Sequence, residues 1–315
     1  MIRALIAGLA LIATPLQAQS FDVTAIGVRG GVDDGNLTAW MIAPHGDPQA
    51  VMCDAGSLVN GIEAARAKGS LKGSRETILH DDILGYMISH AHLDHLAGML
   101  IAAPDDSKKP IYVLPSVGQK ILDSYFNWDA WANFTDRGKT PALGTYTLTD
   151  LTPSATRPID GTAMTMTAYP LAHGGIESTA FLVESGKASL LCLGDTGPDS
   201  LEKQPRLSQL WQAVAPRVRE RSLKAIIIEV SYASERPDKL LFGHLTPAYL
   251  LRSLHELETA AGGKGALKGL PILVSHIKPT LSGPDPRVTI MRELNAGNDL
   301  GVRFILPDQG QRWSF

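Results

Sequence analysis

Ser89-His90-Ala91-His92-Leu93-Asp94-His95-Leu96-Ala97-Gly98 follows directly on the apolar run Ile83–Ile88. Three imidazoles and a carboxylate within six residues are hard to explain as packing, because each buried polar group needs its own partner. The run before them reads as a strand by length and flanks. At a strand end the period of two sends His90 and His92 to one side, where both imidazoles reach one metal ion. As the chain turns towards a helix, Asp94 and His95 are aimed at a second ion nearby. A solvated polar loop is the plain alternative, and the density of ligating groups argues against it.

A two-metal site draws its other ligands from loops at the same edge. Candidates stand at strand ends: His173 in Leu171-Ala172-His173-Gly174-Gly175, Asp195 in Leu193-Gly194-Asp195-Thr196-Gly197, and His276 after Ile272-Leu273-Val274-Ser275. A lone strand-end histidine is more often a structural hydrogen-bonder than a ligand. Beside the first cluster, these three become the expected ligands. His45, His80 and His255 lack ligand-like surroundings and read as surface or structural. The glycines at 27, 30, 31 and 35 form no phosphate-cradling fingerprint, since no strand-to-helix context follows them, and read as turns near the site.

Around this constellation lie 315 residues, 44% hydrophobic and 19% charged, with a formal net charge of −3. That is enough chain for a sizeable core. Thirty glycines and twenty prolines are too few for a collagen-like or disordered chain. The acidic balance argues against nucleic acid as a partner. Two cysteines make neither a disulfide scaffold nor a four-thiolate zinc site.

Residues 1–18 read as a signal peptide: Arg3, a charge-free apolar run from Ala4 to Thr14, then cleavage after Ala18. The run is too short to span a bilayer. No cysteine follows the cleavage point, so no membrane anchor is expected on the mature chain, residues 19–315. Its net charge becomes −4 once Arg3 is gone. The Ala/Leu-rich leader favours the periplasm over secretion. Export leaves a Cys53–Cys192 disulfide open, while the apolar runs around both cysteines suit buried thiols.

Strand signals recur at Thr38–Ile42, Ala50–Cys53, Ile83–Ser89 and Ile111–Leu114, then at Thr179–Glu184, Ala188–Leu193, Ala225–Val230 and Ile272–Ser275. Ser185-Gly186-Lys187 predicts a tight hairpin. Asn60 caps an expected helix that stops at Gly69. Thr246-Pro247 opens another, with Leu250, Leu251, Leu254 and Leu257 on one face and Gly262 at its end. Residues 116–150 break the rhythm and hold Tyr125, Phe126, Trp128, Trp131, Phe134 and Tyr146. Strands mixed with helices throughout predict an α/β layered domain with two sheets.

His-x-His-x-Asp-His, followed at long spacing by His, Asp and His, resembles the metallo-β-lactamase superfamily. The resemblance spans Asp54 to His276 and implies an αββα sandwich, two mixed sheets flanked by helices, with the metal site at one edge. It implies that His90, His92 and His173 hold one zinc and that Asp94, His95 and His276 hold the other, with Asp195 bridging. Asp54 matches an early aspartate that supports such sites. Residues His90 to Pro104 are similar, more narrowly, to the signature of the class II cyclic-nucleotide phosphodiesterases, departing at Ala103 where that family usually has serine. Glu229-Val230-Ser231-Tyr232, Phe242-Gly243-His244-Leu245-Thr246-Pro247 and Ser275-His276-Ile277-Lys278-Pro279 extend the likeness.

The activity so implied is hydrolysis of 3′,5′-cyclic AMP, with cyclic GMP as a further substrate, to the 5′-monophosphate by attack of a metal-bridging hydroxide. Asp94, His244 and Glu229 are the catalytic candidates. His244 is placed to protonate the leaving oxygen and Glu229 to orient it. Against this, His244 reads equally as a flank of the helix at Thr246. Lys278 is a candidate phosphate contact, with an exposed lysine as the default. The Tyr125 to Trp131 segment is a candidate stacking face for the purine. Ligands without thiolate suit two Zn2+ ions per chain and tolerate Mn2+ or Fe2+. The expected partner is a small-molecule cyclic nucleotide, and a homodimer is compatible with the sequence. Rival readings keep the fold but change the substrate to a β-lactam, a lactone or an RNA end, or keep the metal without catalysis. Export and the acidic balance disfavour RNA, and open metal positions disfavour a purely binding role.

Overall fold

Among the described residues, short runs of β-branched and aliphatic residues broken by Gly, Pro and Asp build fourteen strands. A computed structural model describes residues 21–315; the expected signal peptide lies outside the described residues. In chain order the strands are β1 (Phe21–Gly27), β2 (Ala39–Pro44), β3 (Ala50–Cys53), β4 (Ile83–Met87), β5 (Lys109–Val113), β6 (Tyr146–Asp150) and β7 (Thr156–Pro158). They continue with β8 (Thr165–His173), β9 (Ile176–Ser185), β10 (Ala188–Leu193), β11 (Leu223–Glu229), β12 (Pro271–Ser275), β13 (Arg303–Ile305) and β14 (Arg312–Ser314). Two seven-stranded sheets result, ordered β14-β1-β2-β3-β4-β5-β6 and β13-β12-β11-β10-β9-β8-β7. The first is antiparallel from β14 to β3 and parallel from β3 to β6; the second is antiparallel from β7 to β10 and parallel from β10 to β13.

Alternation along each strand sorts the core into layers. On β10, Leu190 and Cys192 join the buried cluster that includes the first sheet, while Leu191 and Leu193 join the cluster on the opposite face. On β11, Ala225 and Ile227 go one way, and Ile226 and Ile228 the other. Strands buried on both faces read as continuous apolar runs, which is why AIII and SLLCL carry no polar alternation. Leu210, Trp211 and Val214 of helix Arg206–Arg219 and Leu250, Leu254 and Leu257 of helix Pro247–Ala260 cover that second face. Ile62 and Ala65 of helix Val59–Ala67 and Leu96 and Met99 of helix Leu93–Ala102 belong to the first cluster. The layering is the expected αββα sandwich.

Several local expectations need correction. Helix Val59–Ala67 starts one residue before Asn60, and no side chain caps it. Residues 116–150 are less irregular than they read: they contain most of helix Pro115–Ser124, whose Pro occupies the first helical position, and strand β6. β1 escaped notice although Phe21, Val23 and Ala25 alternate with Asp22 and Thr24. All of them are buried, because Asp22 finds Ser314 Oγ, Arg312, the Gly46 amide and His45. Helix Pro247–Ala260 forms as expected, with the Thr246 hydroxyl accepting from the Tyr249 amide, although Leu251 is only half-buried. Ser185 pairs with Ala188, so Gly186 and Lys187 make the hairpin turn.

Cys53 and Cys192 form a disulfide, and the reading as buried free thiols is replaced. The bond joins the end of β3 in one sheet to β10 in the other. The Trp40 indole nitrogen, donating to Ser275 Oγ at 3.2 Å, is a second polar tie between the sheets. Closing a loop across 139 residues removes much unfolded-state entropy. Denatured, unreduced protein from an oxidising compartment is expected to titrate no thiol, and reduction to reveal two. The Cys53→Ala/Cys192→Ala double variant is expected to lose about 2–5 kcal/mol in denaturant titration. Free thiols before reduction would contradict the pairing.

Candidate metal centre

β8 and β10 run in the same direction, each antiparallel to β9, and β10, β11 and β12 are mutually parallel. Their C-terminal ends therefore share one edge and deliver His173, Asp195, Glu229 and His276 there. β3 and β4, also parallel, end at the same place from the facing sheet and deliver Asp54, Ser89 and His90. Open α/β sheets bind ligands at such carboxyl edges because the strands stop and the loops diverge. His92 is the N-cap residue of helix Leu93–Ala102 but its side chain makes no cap bond, and Asp94 lies in the first turn.

Asp195 Oδ2 is the meeting point. His95 Nε2 and His276 Nε2 each lie 3.2 Å from it, His173 Nε2 3.8 Å and His90 Nε2 4.0 Å. His276 Nε2 is also 3.2 Å from Asp94 Oδ2, and His173 Nε2 is 3.3 Å from His92 Nδ1. Ligating atoms of His90, His92 and His173 fall within 4.8 Å of one another, as do those of Asp94, His95 and His276 and those of His90, His95 and Asp195. The structure thus brings the residues named from the sequence to one place, and His173, Asp195, Glu229 and His244 form a further group within the same distance.

The other nitrogen of four of these rings, those of His90, His95, His173 and His276, is held by the fold. Asp54 Oδ1 accepts from the Ser89 amide at 2.7 Å, and Oδ2 accepts from Ser89 Oγ at 2.8 Å and His95 Nδ1 at 2.7 Å. The Ser89 hydroxyl proton goes to that carboxylate, so its oxygen accepts from His90 Nδ1 at 3.0 Å. The second sheet repeats the device: Ser231 Oγ donates to Glu229 Oε2 at 2.7 Å and accepts from His276 Nδ1 at 2.9 Å. His173 Nδ1 donates to the Gly243 carbonyl at 2.7 Å. Each Nε2 is thereby the nitrogen turned to the centre, and in the neutral ring it carries the lone pair with which imidazole binds metal. His90 Nε2 and His95 Nε2 are buried and make no hydrogen bond. Two orphaned lone pairs facing a buried carboxylate fit divalent cations and little else.

The electrostatics agree. Burial, reinforced by the neighbouring imidazoles, pushes His90 well down, and burial with His173 lowers His92 to about 4. Burial also lowers His173. Neutral rings are the ligating form. Burial would raise Asp195 and Asp94, but the surrounding histidines outweigh it and hold both as anions. His95 is shifted up: burial opposes its charge, yet Asp195 and Asp54 prevail, so positive charge is favoured at that spot. A cation placed among the carboxylates meets the same demand.

Two residues of the centre adopt left-handed backbone. Asp54 and His276 have φ of 57° and 56°, a region that non-glycine residues enter at a cost of about 1–3 kcal/mol each. Gly30 packs so tightly that a Cβ would stand 2.3 Å from His276 Cε1, and the Gly31 amide donates to Asp94 Oδ2 at 3.0 Å. The glycine turns expected near the site therefore shape it.

His244 is buried beside the ligands, its ring stacked on His276 at 5.2 Å between centroids. Nδ1 bonds Glu229 Oε1 at 2.9 Å, and Glu229 also accepts from the Thr196 amide at 2.9 Å and the Leu245 amide at 3.3 Å. Burial lowers His244, but Glu229 and Asp195 outweigh it and the net shift is up. Thr246 caps the following helix, so His244 is not needed there. Lys278 Nζ lies 3.9 Å from Asp94 Oδ2. Of the aromatic segment, Tyr125 lines a cavity next to His92, and its hydroxyl donates to the Ala91 carbonyl at 2.8 Å. Trp128 and Trp131 do not line that cavity. His45, His80 and His255 bond Asp22, the Asp105 carbonyl and Asp299, away from the centre. Ser89, Ser231 and Thr196 were not singled out as site residues from the sequence; the only signal they offered was a serine or threonine beside a strand-end ligand.

Residues 68–310 match the family profile of the class-II cAMP phosphodiesterases. The chain belongs to this family. A 3′,5′-cyclic-nucleotide phosphodiesterase of Aliivibrio fischeri is 45% identical over 95% of this chain and 94% of its own. One from Schizosaccharomyces pombe is 24% identical over 95% and 94%. The crystal structure of unliganded yeast PDE1 superposes with a TM-score of 0.84 at 22% identity, covering 93% of this chain and 99% of that one. The metallo-beta-lactamase fold protein YhfI of Bacillus subtilis superposes with a TM-score of 0.63 at 16% identity, covering 94% and 100%. The sandwich is thus the metallo-β-lactamase fold, and the family's members are cyclic-nucleotide phosphodiesterases.

Asp54→Ala is expected to lower metal affinity about 10–100-fold, because His95 loses the group that aims it. Metal content after dialysis against graded chelator measures this, and an unchanged retention curve would refute the positioning role.

Proposed function

We propose that the protein hydrolyses 3′,5′-cyclic AMP, and cyclic GMP beside it, to the 5′-monophosphate with two zinc ions per chain, after export to the periplasm. The observation that carries the reading is the convergence of four imidazole nitrogens on Asp195 Oδ2, two of them buried without a hydrogen bond, in a chain of this family. His90, His92 and His173 would hold one ion, Asp94, His95 and His276 the other, with Asp195 between them. Ligands without thiolate suit zinc and also tolerate manganese or iron. Two such ions supply Lewis-acid polarisation of a phosphoryl oxygen and an activated water at neutral pH.

The chain's own residues then position and protonate. Lys278, beside Asp94, offers positive charge to a phosphate oxygen. Because Glu229 engages His244 Nδ1, the free nitrogen is Nε2, the atom that would deliver a proton to the departing 3′-oxygen. Export is supported by the residue 1–18 pattern and by the Cys53–Cys192 disulfide, a bond that persists in oxidising compartments.

Cyclic AMP incubated with the zinc-loaded mature protein should give 5′-AMP on chromatography, with chelated protein and His92→Ala inactive. Exclusive 3′-AMP would reverse the leaving group, and no turnover by metal-loaded protein would overturn the reading. His244→Ala is expected to lower kcat about 10²–10⁴-fold with metal content kept. A nitrophenyl phosphodiester, whose leaving group needs no proton, should restore most of that loss. An equal loss on both substrates would remove the proton-donor role.

A further inference from the structure

The cavity beside His92 has a volume of about 430 Å³, within the range of small-molecule sites. Ala91 and His92 line it on the side of the metal-centre cluster, to which His92 belongs, and Ala91, Val117, Tyr125 and Ile176 give it apolar lining. The Tyr125–Ala91 hydrogen bond fixes the phenol ring against the chain that carries His92. An apolar slot with an aromatic wall is the surroundings a nucleobase needs for its faces.

Its polar rim is sparse and specific. Glu177, the second residue of β9, lines the cavity together with Ser116 and Lys120 of helix Pro115–Ser124. The Ser116 hydroxyl donates to Glu177 Oε2, which pins the carboxylate across the gap between helix and strand. A carboxylate offers about four lone-pair sites, and one hydroxyl leaves the rest for N–H donors. A second cavity, of about 710 Å³, opens on the Lys278 side. Arg236 there lies over the Tyr232 ring at 4.1 Å, and that opening carries both signs of charge, Lys278 and Arg236 beside Glu235 and Asp285.

We propose that the cavity beside His92 receives the base of the cyclic nucleotide and that Glu177 reads it by accepting the N–H donors of the purine's Watson–Crick edge. This inference rests on the phosphodiesterase reading above. Guanine presents N1–H and the N2 amino group side by side, so a carboxylate takes both in parallel bonds of the kind it makes with arginine. Adenine presents its N6 amino group alone. Unsubstituted purine presents none.

The test compares kcat/KM of wild type and Glu177→Ala for cyclic GMP, cyclic AMP and purine riboside 3′,5′-cyclic monophosphate, with Ser116→Ala as the milder variant. Wild type is expected to favour cyclic AMP over the amino-free analogue by about 10–100-fold, one hydrogen bond to a charged group. Glu177→Ala is expected to bring that ratio close to one, and to lower cyclic GMP turnover more than cyclic AMP turnover. Ser116→Ala should shrink the ratio partway. A ratio unchanged in Glu177→Ala, or an equal fall on all three substrates, overturns the inference while the phosphodiesterase reading stands; the Lys278-side cavity is then the place for the base. A wild type that turns over none of the three removes both.

Discussion

Asp195 sits at the end of β10 with its carboxylate buried, and the imidazoles of His95 and His276 reach the same oxygen from facing sheets. An isolated carboxylate at such depth is strongly unfavourable unless positive charge or hydrogen bonds meet it. The two sheets must therefore close against each other at this edge, and with the right partners. Upstream of Asp195 the Cys53–Cys192 disulfide ties the sheets; downstream the Thr196 amide is held by Glu229. Gly194 lies so close to Ser89 that a Cβ would stand 2.2 Å from the serine Cβ. Disulfide, glycine contact and buried carboxylate act on one strand end.

The two sheets orient their histidines by the same device. A buried carboxylate, Asp54 or Glu229, takes a serine hydroxyl proton and a histidine Nδ1, and that serine then accepts from a second histidine. For His90, His95 and His276 the remaining nitrogen faces Asp195, whereas His244 turns Nδ1 to it, at 3.6 Å. The arrangement explains why Glu229, though not among the inferred ligands, lies inside the cluster: it stands to His244 and His276 as Asp54 stands to His95 and His90. Asp54 and His276 each follow directly on a strand and leave it in a left-handed conformation.

Much of this was legible in the residues. The central strands of both sheets were readable because they are buried on both faces and lack helical period. The residues of the centre were readable because three histidines and an aspartate crowd residues 90–95, and His173, Asp195 and His276 gained their weight only beside that cluster. What escaped was set by partners distant in sequence. β1 hides Asp22 only because β14, at the far end of the chain, supplies Arg312 and Ser314. Helix Pro115–Ser124 lay inside a stretch whose aromatics drew the reading towards a stacking face, and of the residues named for that role Tyr125 reaches the cavity.

By itself the sequence singled out the histidines and aspartates that meet at the centre, because the spacing of His90, His92, Asp94 and His95 is local and strand ends are local features, while their expected grouping came from the resemblance to a known family. It also determined the layered α/β class, through runs of apolar residues bounded by turn formers. Tertiary structure alone decided that Cys53 and Cys192 are bonded, since two thiols 139 residues apart meet only when the sheets face each other. It alone decided which nitrogen of each histidine is free, because that depends on hydrogen-bond partners brought in from other strands. It alone placed Tyr125 and Glu177 around one cavity, where a helix of one layer and a strand of the other converge beside His92.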